Sequence, residues 1–142
     1  MIGILILGQK DFAEGLIRAV EHTFGVRPPA LSSAGIDYTE SPEQIAKLIR
    51  TRLASVDQGD GVLILADVYG TTHTNIARHL LKPDHVELIS GVNLPMVLRT
   101  LTYRKLRMPD LIDRALAGGF NGIICATSHA KRDSRPKRKS RR

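Results

Sequence analysis

Two unbroken apolar runs, Ile2-Gly3-Ile4-Leu5-Ile6-Leu7 and Val62-Leu63-Ile64-Leu65-Ala66, constrain this chain more than any other feature. A strand with one face in water alternates apolar and polar residues, and these runs do not. They read as strands buried on both faces, which requires helices above and below and so a parallel sheet.

The intervening segments supply those helices. Asp11 and Glu14 have capping-box spacing, Phe12, Leu16, Ala19, Val20 and Phe24 recur on one face, and Gly25 ends that helix. Pro28-Pro29 leads into a weaker strand over 30–36, and Ser41-Pro42-Glu43-Gln44 is a capping box with proline at the first helical position. Ile45, Leu48, Ile49 and Leu53 form the core face of that second helix, and the turn 57–61 returns the chain to the strand 62–66. A polar loop at 69–74, a short helix near 75–81 and a strand at 86–89 follow. Asn93-Leu94-Pro95 opens a helix carrying Met96, Val97 and Leu101, and a further helix at 109–116 is expected to stop at Gly118-Gly119 before a last strand at 122–126. Repeats are absent.

At 142 residues the chain is the size of one domain, assigned to 1–127, with a tail at 128–142. Cys125 is the only cysteine, which excludes an intrachain disulfide or a cysteine-based zinc site and fits a reducing, cytoplasmic setting. It is expected to be an inert buried thiol. No apolar run is long enough to span a bilayer, and the first residues lack a basic leader segment, so a soluble protein without an integral membrane span is expected. The net charge of +7 is concentrated in the tail, where Lys131, Arg132, Arg135, Lys137, Arg138, Lys139, Arg141 and Arg142 stand against the single acid Asp133. The body is neutral. The tail is expected to be disordered, and its charge suits weak, salt-dependent binding to nucleic acid or acidic surfaces. It has no aromatic residue for base stacking.

In an open α/β sheet, ligands bind beyond the carboxyl ends of the strands. The segments there are 8–11, 67–75 and 90–93, each joining an apolar run to a helix in a way that suits an anion such as a phosphoryl group. Neither a P-loop nor a Gly-x-Gly-x-x-Gly fingerprint is present. The histidines at 22, 79, 85 and 129 lack ligand spacing and read as surface residues. No metal site and no cofactor are implied.

The blocks Gly3-Ile4-Leu5-Ile6-Leu7, Asp11-Phe12-Ala13-Glu14-Gly15-Leu16, Leu65-Ala66-Asp67-Val68-Tyr69-Gly70-Thr71-Thr72 and Ile89-Ser90-Gly91-Val92-Asn93-Leu94-Pro95-Met96 resemble, in order, the enzyme IIA domain of the mannose (fructose/sorbose) class of the bacterial phosphotransferase system. The resemblance covers residues 1 to about 127 and implies a three-layer αβα fold with a central parallel four-stranded sheet. It also implies a homodimer in which a short antiparallel C-terminal strand, 122–126 here, is exchanged between subunits. Such proteins accept a phosphoryl group on a histidine from the histidine phosphocarrier protein and pass it to a IIB component.

The resemblance places the acceptor histidine where this chain has Gln9, in a His-Gly pair that reads Gln9-Lys10; shifting the register by one puts Lys10 there instead. A glutamine amide accepts no phosphoryl group. Asp67 occupies the position of the carboxylate that fixes the histidine tautomer, although a strand-end aspartate also suits a turn cap. Lys10 is open to two readings, an ion pair with Asp67 or a solvated lysine. By resemblance Gly70, Thr71 and Thr72 belong to a phosphate-binding loop, and Lys10 and Asn93 to a partner-docking face. The loop also departs from the family pattern by carrying His73. That histidine reads as a solvated residue opening the next helix, with a relocated acceptor as the alternative.

The expectation is therefore a IIA-like protein that has lost the usual relay and acts by binding partners in a regulatory role. The alternatives are an active phosphocarrier using His73 and a dimer presenting basic tails to nucleic acid.

Overall fold

The structure is a computed structural model describing residues 1–133, the side chains of 130–133 excepted. In chain order the elements are β1 (Gly3–Gln9), α1 (Lys10–Phe24), β2 (Leu31–Ile36), α2 (Pro42–Val56), β3 (Val62–Ala66), α3 (Thr72–Arg78), β4 (Val86–Ser90), α4 (Leu94–Thr102), α5 (Met108–Asn121) and α6 (Ala126–Asp133). The four strands form one sheet in the order β2-β1-β3-β4, parallel throughout. The fold is the three-layer αβα arrangement that the two apolar runs require.

Alternation along β1 and β3 feeds two cores. Ile4, Ile6, Leu63 and Leu65 pack with Ile17 and Val20 of α1, Met96 and Val97 of α4 and Leu111 and Ala115 of α5. Leu5, Leu7, Ile64 and Ala66 pack on the other face with Ile45 and Ile49 of α2 and Ala77 of α3. The chain moves from β1 outward to β2, then returns across the sheet to β3 and outward to β4. Strand order thus reverses between β1 and β3, so the crevice for a ligand opens where Gln9 and Asp67 end those strands.

Local chemistry corrects several expectations. Helix α1 begins earlier than Asp11: Gln9 is its cap, and its side-chain oxygen accepts the Phe12 N–H at 3.1 Å. Gly25 does end α1, at φ 77°. The Ser41–Gln44 capping box is present with both reciprocal bonds. Helix α3 starts at Thr72, ahead of the expected 75, because the Thr71 hydroxyl caps it.

Helix α5 continues through Gly118-Gly119 to Asn121. These glycines are sites of close approach to α4: a β-carbon on Gly118 would stand 2.5 Å from Arg99 Cβ, and one on Gly119 2.6 Å from Met96 Cε. Beyond α5, residues 122–126 form no strand within the chain, and Cys125, expected to be buried, is exposed because no sheet covers it. Residues 128–133, expected to lack structure, belong to α6, where Ala126, Ala130, Lys131 and Arg132 are all good helix formers. The rest of the basic tail lies outside the described residues.

Candidate functional site

The crevice is built around one carboxylate. Asp67 follows β3 directly, and its Oδ2 accepts the backbone N–H of Gln9 at 3.0 Å, tying the ends of β1 and β3 together. Its Oδ1 accepts the Val68 N–H at 2.7 Å and lies 2.8 Å from Nε2 of His73. Burial pushes the Asp67 carboxyl up, but the His73 hydrogen bond, the Gln9 and Val68 N–H groups and the attraction of the imidazole together hold it below the ordinary carboxylate range. The carboxylate is therefore ionised at neutral pH and accepts from Nε2–H.

His73 corrects the solvated reading. It sits in the first turn of α3 and is 8% exposed. The helix start brings this about: Thr71 bonds the N–H and the hydroxyl of Thr74, which fixes the first turn and swings residue 73 inward over the end of β3. The Thr71 hydroxyl, expected to face a phosphate, is engaged in that cap and with Val68 O. Gly70 makes the turn at φ 87°, and Thr72 is exposed.

The remaining candidates fall into place around this pair. The Gln9 side chain caps α1, so its carbonyl oxygen is directed to Phe12. Lys10 is exposed and forms no ion pair with Asp67 among the described residues, the partner of that carboxylate being His73. Asn93 caps α4 by accepting from Met96 N and donates to Gly119 O, so both ends of its amide hold the α4–α5 corner. Phe12, Tyr38, Val68 and Tyr69, each just beyond the carboxyl end of a strand, are exposed and give this edge an apolar rim. Of the outlying histidines, 22 and 79 are exposed as expected, whereas His85 is half-buried and bonds Asp57 Oδ2 at 3.1 Å. That bond lies at the opposite edge of the sheet.

A carboxylate holding an imidazole at the carboxyl edge of a parallel sheet is an arrangement for nucleophilic chemistry on a phosphoryl group or an acyl group. Comparison with known proteins decides the family: the profile described as PTS system fructose IIA component matches residues 3–116. The chain belongs to that family. This IIA-family chain is 34% identical over 125 residues to the PTS system mannose-specific EIIAB component of Escherichia coli (strain K12), an alignment that covers 84% of the chain and 38% of that relative. It thus spans well under half the length of that relative. The PTS system fructose-specific EIIA component of Bacillus subtilis (strain 168) is 25% identical over 139 residues, covering 93% of the chain and 91% of the relative. Among solved structures, phosphotransferase system component EIIA from Streptococcus agalactiae superposes with a TM-score of 0.80 at 20% identity, over 90% of this chain and 99% of that one. That likeness is one of fold.

Among the described residues, no helix is long and apolar enough to cross a membrane. What sequence reasoning missed in this site is the direction of His73. The signal was present in the Thr71–Thr74 spacing, which is that of a helix cap and starts α3 one turn early.

Proposed function

We propose that this chain is an enzyme IIA component of the phosphotransferase system in which His73, held by Asp67, serves as phosphoryl acceptor in place of residue 9. The observation that carries this reading is the 2.8 Å bond from His73 Nε2 to Asp67 Oδ1. The donor would be the histidine phosphocarrier protein and the recipient a IIB component, both expected in the cytoplasm. The exposed side chains of Phe12, Tyr38, Val68 and Tyr69 suit docking of such partners around the crevice.

The test is transfer of radiolabelled phosphate from phosphoenolpyruvate, through enzyme I and the histidine phosphocarrier, to the wild type, His73→Ala and Gln9→His. Label on the wild type that disappears in His73→Ala supports the proposal. An unlabelled wild type overturns it.

One observation favours a second reading, a regulatory protein that docks the same partners without accepting phosphate. Gln9, at the resemblance's acceptor position, is built into the α1 cap. An unlabelled wild type beside a labelled Gln9→His, with the phosphocarrier still retained in a binding assay, supports this alternative.

A homodimer with exchange of the segment 122–126 is proposed on the exposure of the apolar side chains of Phe120 (80%), Ile123 (75%) and Ile124, and on the position of β4 at the edge of the sheet, where β3 is its one strand neighbour among the described residues. Sedimentation equilibrium of the wild type and Ile123→Asp tests it; a wild-type monomer overturns it. Binding of nucleic acid by the tail rests on residues 134–142, outside the described residues, together with Lys131 and Arg132.

A further inference from the structure

We infer that the phosphoryl group on His73 is carried by Nδ1. The inference rests on the proposed acceptor role and goes further by naming the atom. In a neutral imidazole one nitrogen bears the proton and the other a lone pair, and the proton lies on whichever nitrogen faces an anionic acceptor. In His73 that nitrogen is Nε2, which donates to Asp67 Oδ1, so the nucleophilic lone pair belongs to Nδ1.

A second observation shows that this lone pair is reachable. Among the described residues, Nε2 makes the ring's only hydrogen bond, and no buried side-chain nitrogen or oxygen lacks a partner. Nδ1, without a partner among those residues, therefore touches solvent although His73 as a whole is nearly covered. The imidazole thus has its protonated side turned inward to a fixed carboxylate and its lone pair turned outward. This polarity follows from the placement of the histidine in α3.

The reaction balances without a change of protonation on His73. The Nδ1 lone pair attacks the phosphorus of a phosphohistidine on the donor protein, an Nδ1–P bond forms and the donor N–P bond breaks, its electron pair staying on the donor nitrogen. A donor ring protonated on its other nitrogen leaves as neutral imidazole. The His73 ring, now substituted on Nδ1 and still bearing the Nε2 proton, carries imidazolium charge, which the Asp67 carboxylate stabilises.

The experiment is alkaline hydrolysis of the labelled full chain, followed by chromatography against Nδ1- and Nε2-phosphohistidine standards. Asp67→Ala and His73→Gln run in parallel, with circular dichroism to confirm folding. At least nine-tenths of the label is expected as the Nδ1 isomer, with none in His73→Gln. In Asp67→Ala the Nε2 isomer is expected to appear, because the tautomer is no longer fixed. Predominance of the Nε2 isomer on residue 73 of the wild type overturns this inference and leaves the proposed function standing. An unlabelled wild type, or label that persists in His73→Gln, overturns both. Nitrogen-15 NMR of the unmodified imidazole gives a readout independent of transfer: a proton on Nε2 is expected, and a proton on Nδ1 at neutral pH overturns the inference.

Discussion

Gly8 lies directly against the Asp67 carboxylate: a β-carbon on residue 8 would stand 2.9 Å from Oδ2 and 3.0 Å from Cγ. The carboxylate reaches the Gln9 N–H because residue 8 has no side chain. In Gly8→Ala the methyl meets a side chain rather than backbone, so the sheet is expected to survive at a cost of about 1–3 kcal/mol of overpacking. The displaced carboxylate loses its grip on His73. Phosphoryl acceptance is expected to fall at least tenfold in protein that urea unfolding shows to be folded, and unchanged labelling would remove Asp67 from the mechanism.

The Asp67 carboxyl is held below the ordinary carboxylate value of about 4. The unfolded chain then binds more protons than the folded chain between the two values. The contribution of Asp67 to stability is therefore complete above about pH 4 and declines as the pH falls through the folded value. Asp57 is lowered too, first by its hydrogen bond from the Gly59 N–H, but it is common to both proteins in a comparison of wild type with Asp67→Asn. Urea midpoints measured from neutral pH down through the acid range are expected to converge for the two proteins at the acid end. A constant difference across that range would show that the ionised carboxylate contributes no stability.

The sheet was legible because burial on both faces leaves a mark that depends only on composition: Ile4, Leu5, Ile6 and Leu7 are fully buried, as are Leu63, Ile64 and Leu65. The site was half legible. Asp67 stands at the expected strand end, but the identity of its partner depends on where α3 starts. The resemblance puts Gln9 at the acceptor position, and what the sequence did not show is that its oxygen caps α1, a role that glutamine fills less often than Ser, Thr, Asp or Asn. The Gly118-Gly119 pair looked like a stop because local propensity predicts one. What overrides that propensity is the distance between two helices, which no local window contains.

That override has a measurable order. A β-carbon on Gly118 meets Arg99 Cβ and Cγ at 2.5 and 2.7 Å, groups held close to the α4 backbone. One on Gly119 meets the end of the flexible Met96 side chain at 2.6 Å. Alanine in a helix gains about 1 kcal/mol over glycine, which offsets part of the clash in both variants. Gly118→Ala is expected to destabilise by about 1–3 kcal/mol and Gly119→Ala by less than about 1 kcal/mol in chemical denaturation. The reverse order would show that the α4 backbone yields more readily than Met96 does.

Arg104 closes the opposite edge of the sheet. Its guanidinium is buried and donates to Ile2 O at 3.0 Å, Pro29 O at 2.6 Å and Ala30 O at 2.6 Å, gathering the starts of β1 and β2. Burial pushes the guanidinium pKa down, yet the group remains charged at neutral pH. A lysine ammonium lacks the planar fork that reaches three separate carbonyls, so Arg104→Lys gives up part of this clamp, the buried bond to Ile2 O included, and is expected to cost about 1–3 kcal/mol. Ala30 adopts φ 51°, a left-handed conformation unfavourable for alanine by about 1–2 kcal/mol, and glycine gives back about half of that through its freer unfolded chain. Ala30→Gly is therefore expected to stabilise the wild type by roughly 0.5–1 kcal/mol. In the Arg104→Lys background the gain is expected to shrink, because the loop that imposes the strain is no longer clamped. A double-mutant cycle in urea reads the coupling between the two positions, and a gain of equal size in both backgrounds would show that Arg104 does not hold Ala30 in its strained conformation.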